Sequence, residues 1–125
     1  MLIAVKKAVT ILDGEHEGVI INVRYRARPY EYVDLEIELR QGSDSVVLKA
    51  GYPQIISKNS KLGYLLIRFG EELKEGSEID PDKVLIGQKC KFKTFTEQKD
   101  TGKFAKVIPD SVRPSKGVQN ELPKL

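Results

Sequence analysis

A chain of 125 residues with a net charge of +3, one Cys, one His and no Trp suits a single domain whose core forms without staples. One Cys and one His exclude an internal disulfide framework and the usual Cys/His zinc spacings. No run approaches the roughly 20 apolar residues that cross a bilayer, and MLIAVKKAVTIL lacks a signal-peptide cleavage pattern. A soluble protein of the cytoplasm is therefore expected, with no membrane partner.

Residues 2 to 12 alternate partially through Ile3, Val5, Val9 and Ile11, enough for a lead-in strand. Asp13-Gly14 reads as a turn. From Gly18, the sequence VIINVRYRA places Val19, Ile21, Val23 and Tyr25 on one face and Ile20, Asn22, Arg24 and Arg26 on the other. Pro29 interrupts, and Val33, Leu35, Ile37 and Leu39 then alternate with Asp34, Glu36, Glu38 and Arg40 in a returning strand. A hairpin that pairs Tyr25 with Leu35 and Val23 with Ile37 puts Arg26 against Asp34 and Arg24 against Glu36, so its outer charges neutralise each other. Gln41 to Asp44 is a turn, and a third strand runs through Val46–Ala50 to Gly51-Tyr52-Pro53.

Ser57 to Gly70 reads as the one clear helix, because Leu62, Leu65, Leu66 and Phe69 follow the i, i+3, i+4, i+7 spacing of a buried face. Ser57 is the favoured cap among Ser57, Asn59 and Ser60, and Gly70 is the stop. Gly63 inside the helix costs about 1 kcal/mol relative to Ala, which marks a close backbone approach. A polar connector, Glu71 to Asp82, leads to a single turn at Pro81–Gly87. In Gln88–Glu97, Cys90 and Phe92 alternate with Lys89, Lys91 and Lys93, a half-buried strand with Cys90 in the core. Lys99 to Gly102 turns the chain into a last strand from Phe104 to Val112, closing at Pro114. The tail from Ser115 has no periodicity and is expected to be mobile.

Three strands, a helix and a two-stranded hairpin is the element order of the five-stranded OB-fold barrel, here spanning residues 1–114 as one mainly β domain. The runs LDGEHEGVIINV, GYPQIISKNSKLGYLLIRFG, VLIGQKCKFKTF and KFAKVIPDSVRP resemble the small phage-type and archaeal OB-fold proteins linked to single-stranded DNA binding, over roughly residues 11 to 114. The resemblance implies a viral or archaeal DNA-binding protein, placed in the host-cell cytoplasm if viral. The chain departs from bacterial single-strand binders in having no Trp and no concentrated acidic tip. Abundant Lys and Glu with one Met and one Cys is a composition of heat-stable proteins.

Single-stranded nucleic acid needs aromatic faces for base stacking and cations along the phosphates. Between Ile86 and Val107 six Lys stand against Glu97 and Asp100, a local balance of +4, while the remainder carries −1. The candidate contacts are Arg26, Arg28, Tyr30 and Tyr32 around the first hairpin, Lys89, Lys91, Lys93 and Phe95 along one strand, and Lys99, Lys103 and Phe104 at the last hairpin. Tyr52 and Tyr64 are assigned to packing, and His16 to an exposed turn. With no nucleophile and acid partners evident for His16 and no phosphate-binding Gly-rich Lys loop, neither enzymatic activity nor a cofactor is expected. The expected function is sequence-tolerant single-stranded DNA binding in replication, recombination or repair. RNA is the alternative strand, since nothing reads the 2′-hydroxyl. The second reading is a protein-interaction or structural module, with homo-oligomers forming through a strand edge.

Overall fold

A computed structural model describes residues 1–5 and 10–115. Its elements are β1 (Gly14–Arg26), β2 (Tyr32–Gln41), β3 (Asp44–Pro53), α1 (Lys61–Arg68), the single-turn α2 (Pro81–Leu85), β4 (Lys89–Lys99), β5 (Gly102–Val107), a 3-10 turn at Pro109–Ser111 and a short β6 (Arg113–Pro114). The strands form one antiparallel sheet in the order β3-β2-β1-β4-β5, with β6 also paired to β4. The two ends of that path, β3 and β5, lie side by side with Cα atoms within 8 Å. No helix among the described residues is long and apolar enough to cross a membrane. The expected mobile tail lies outside the described residues beyond Ser115, as do residues 6–9 of the expected lead-in strand; residues 1–5 and 10–12 are irregular.

β1 organises the sheet because its two halves have different partners. Gly14 to Val19 pair with Thr94 to Lys89 of β4, and Val19 to Arg26 pair with Glu38 to Tyr32 of β2. The strand thus begins at Gly14, where a turn was expected; the polar run Glu15-His16-Glu17 carries no apolar alternation to announce it. A bulge between Ile20 and Asn22 puts Ile20 rather than Ile21 into the core, and Val23 follows it inward. One extra residue flips the parity, so Val19 is half-buried and Ile21 exposed. The β1–β2 register is also displaced by two from the expected one, with Val23 opposite Leu35 and Tyr25 opposite Val33. Tyr25 therefore sits past the core, exposed, and its hydroxyl donates to Asp82 at 2.8 Å.

β2 alternates without interruption: Val33, Leu35, Ile37 and Leu39 are buried, and Tyr32, Asp34, Glu36 and Glu38 face out. Against the buried set pack Tyr52, Leu62, Leu65, Leu66, Cys90 and Phe92, all essentially inaccessible. Phe69 packs half-buried on their margin. α1 is shorter than its apolar spacing suggests. Its N-cap is Ser60, whose hydroxyl accepts from the Gly63 N–H at 2.9 Å, whereas Ser57 lies a turn upstream and its carbonyl accepts from Ser60. At the other end Gly70, at φ +94°, and Glu71 donate back to Ile67 and Leu66, the paired bonds of a Schellman stop. α2 is capped by Asp80, which accepts from Asp82 at 3.0 Å.

After β5 the chain does not run straight to Val112 as expected. The 3-10 turn at Pro109–Ser111 folds it back, and Arg113–Pro114 adds to β4 opposite Lys91 and Cys90. Tyr52 fixes this corner through its hydroxyl, which donates to the Pro109 carbonyl at 2.7 Å.

Candidate nucleic-acid interface

The first hairpin gathers Arg26, Tyr32 and Asp34 on the outer face. The Arg26 guanidinium donates to both Asp34 oxygens, at 2.7 and 3.1 Å, and lies 4.9 Å from the Tyr32 ring centroid. The hydrogen bond that Arg26 donates to Asp34 pushes its pKa up still further. Beneath, the Tyr32 ring lies over Gly51, where a Cβ would sit 3.3 Å from the ring. Arg24 is likewise paired with Glu36 at 2.8 Å. Both ion pairs were legible in the sequence, although they form diagonally: Arg24 stands opposite Asp34 but reaches Glu36, two residues along β2. Asp34, Glu36 and Glu38 run down the middle of this face, so it offers a phosphate chain little net attraction. Arg28 and Tyr30 are in the loop that contains the cis Arg28–Pro29 bond, both exposed.

On β4, Lys89, Lys91, Lys93, Phe95, Glu97 and Lys99 share the outer face, since Cys90, Phe92 and Thr94 alternate inward. The lysine comb is not open along its length. Lys91 and Lys93 stand opposite Glu17 and Glu15 of β1, and on the far side of β4 Lys91 stands opposite Arg113. Glu15 pairs with Arg113 and Glu17 accepts from Ser115, so these contacts pass over β4 and leave Lys91 half-buried. The bridging partners lie in and just after β6, a two-residue strand with no local periodicity to announce it.

Beyond that bridge the face changes character. Phe95 stands opposite Lys106 and Phe104 opposite Glu97, so the two rings are diagonal neighbours across the β4–β5 hairpin, each 42% exposed. Lys99 and Lys106 each approach Glu97 to 3.7 Å, leaving two cations around one carboxylate. Lys103, opposite Gln98, falls on the other face of the hairpin. Lys106 was missed as a site residue, although its parity with Phe104 along β5 would have placed it there. The two hairpin groups do not merge into one patch: β1 ends at the first loop with Arg26, whereas the β4–β5 hairpin continues past its opposite end at Gly14.

His16 is not in an exposed turn. It is half-buried in β1, with Nε2 2.6 Å from the Leu12 carbonyl and its ring centroid 6.1 Å from that of Phe92. Cys90 fills the core, and burial pushes its thiol up from 9 to about 12. Burial likewise raises the Tyr52 phenol. In the unfolded chain the thiol ionises near its ordinary value, while in the fold it stays protonated. Raising the pH from about 9 to 12 therefore stabilises the unfolded state selectively. Denaturant midpoints are expected to hold steady from pH 7 to 8 and to fall through that alkaline window, less so in Cys90→Ala once its own cavity cost is subtracted. No protein-family model matches the chain, and no curated protein matches it.

Proposed function

We propose that the sheet closes as an OB-type barrel and that the chain is a non-enzymatic, sequence-tolerant single-stranded DNA-binding protein of replication, recombination or repair. The barrel reading is supported by the strand order, by the adjacency of β3 and β5, and by α1, which buries Leu62, Leu65 and Leu66 between β3 and β4 in the sequence. The observation that carries the binding reading is the half-exposed diagonal pair Phe95 and Phe104, set among Lys93, Lys99 and Lys106 on one hairpin face. Large rings that a fold leaves in water beside cations are what stacked bases and their phosphates require. The strand runs along the outer face of β4–β5, and Tyr30, 72% exposed, is the stacking residue nearest the other end.

Fluorescence anisotropy with labelled oligo-dT, duplex and poly-U over a range of salt separates the outcomes. Tighter, salt-sensitive association with oligo-dT is expected; equal binding to duplex means a general basic-surface effect, and no binding at low salt ends the proposal. Within that assay, replacing Lys93, Lys99 and Lys106 by Gln is expected to flatten the salt dependence by up to about 2 in logarithmic slope, at about 0.7 per phosphate contact. The pair Lys89→Gln and Lys91→Gln, at the bridged end, is expected to change it less.

A further inference from the structure

The outer face of the β4–β5 hairpin carries a carboxylate between its two rings. Four positions form a square there, with Phe95 and Glu97 on β4 opposite Lys106 and Phe104 on β5. The rings take one diagonal and the charges the other. Next along the hairpin, Lys99 stands opposite Gly102, where a Cβ would meet nothing within 4 Å. No β5 side chain therefore closes the hairpin end beside Glu97 and Phe104.

Glu97 is held in place without being used up. Lys99 and Lys106 both approach its Oε1, at 3.7 Å, too far for a hydrogen bond. Among the described residues its Oε2 has no partner, and the side chain is 41% exposed. Two cations thus position the carboxylate and leave its lone pairs available to a donor from outside.

The chemistry of that donor follows from where a stacked base must lie. A base flat against a ring presents its edge sideways, toward the next position on the same face. Glu97 is that position for both rings, directly across the hairpin from Phe104, about 5 Å between Cα atoms, and two residues along β4 from Phe95. An ionised carboxylate only accepts, so it separates bases by the donors on their edges. Guanine offers two adjacent donors, N1–H and the 2-amino group, which match the two oxygens of one carboxylate. Adenine and cytosine each offer an amino group beside an acceptor nitrogen, and thymine one N–H between two carbonyls that repel the carboxylate. We infer that Glu97 reads guanine, so that a strand held without regard to sequence elsewhere is preferred when it places guanine on this hairpin. The inference rests on the single-strand reading above.

The test uses the full chain in anisotropy titrations at fixed salt. The probes are labelled oligo-dT and the same strand with guanine, adenine or hypoxanthine at one central position. The guanine strand is expected to bind about fivefold or more tightly than oligo-dT, the lower end of what a bidentate base contact gives. Adenine, a purine that stacks without the paired donors, and hypoxanthine, which keeps N1–H but lacks the 2-amino group, are both expected to bind less tightly than guanine. In Glu97→Ala, with unchanged circular dichroism, the guanine advantage over adenine and hypoxanthine is expected to vanish. A parent that binds the four strands alike, or guanine no better than adenine, overturns the inference and leaves the single-strand reading standing. A Glu97→Ala chain that gains affinity for every strand by one common factor assigns the carboxylate to charge balance and also overturns it. A parent that binds no single strand at low salt overturns both.

Discussion

Replacing Phe95 and Phe104 together by Ala is expected to lower single-strand affinity by roughly 2 to 6 kcal/mol while leaving the salt dependence of binding nearly intact. A base stacked on an aromatic face contributes about 1 to 3 kcal/mol through its π-surface, and two rings on one face serve two bases. The lysines that release counterions remain, so the logarithmic slope stays. Because both rings are already 42% exposed on the outer face, the fold loses little, and the melting temperature is expected to stay within a few degrees. Anisotropy titrations at three salt concentrations give both numbers. A double variant that binds like the parent removes the hairpin face from the interface and makes Tyr30→Ala the next comparison.

Gly63→Ala is expected to destabilise the chain by roughly 2 to 4 kcal/mol, although Ala is the better helix former by about 1 kcal/mol. A Cβ at position 63 would lie 1.8 Å from the Ser57 carbonyl oxygen and 2.9 Å from the Ser60 hydroxyl. The first is backbone, and the second is held in place as the cap, donating to the Ser57 carbonyl and accepting from the Gly63 N–H. Relief requires the Ser57–Ser60 turn to move, which breaks the N-cap and tilts Leu62, Leu65 and Leu66 out of the core. Leu66→Ala, at a fully buried position, is expected to cost about 2 to 5 kcal/mol by leaving a cavity, and the exposed Lys61→Ala to be nearly neutral. Urea unfolding ranks the three, and a Gly63→Ala chain more stable than the parent would show that the turn yields freely.

The sequence was most legible where one periodicity acted alone. The apolar spacing of α1, the close approach at Gly63 and the alternation of β2 followed directly from side-chain parity. It failed where two arrangements satisfied the same local rule. The Arg24–Glu36 and Arg26–Asp34 pairs form whether β1 and β2 are aligned squarely or two residues apart, so charge complementarity could not choose the register. Consecutive isoleucines at 20 and 21 hid the bulge, because either can face the core. The bridge over Lys91 depends on Arg113 and Ser115 returning to β4, a long-range event with no local signature.

The division of β1 between two partners also sets an order in time. Arg26 and Tyr32 are six residues apart in the chain, Gly14 and Thr94 eighty. Loop-closure entropy grows as the logarithm of that separation, so the second pairing begins about 2 kcal/mol behind the first. The β1–β2–β3 meander is expected to assemble from neighbouring chain while the first six residues of β1 wait with an open edge. During synthesis that edge stays unsatisfied until β4 has left the ribosome, and the exposed interval lengthens with every residue inserted between β3 and β4.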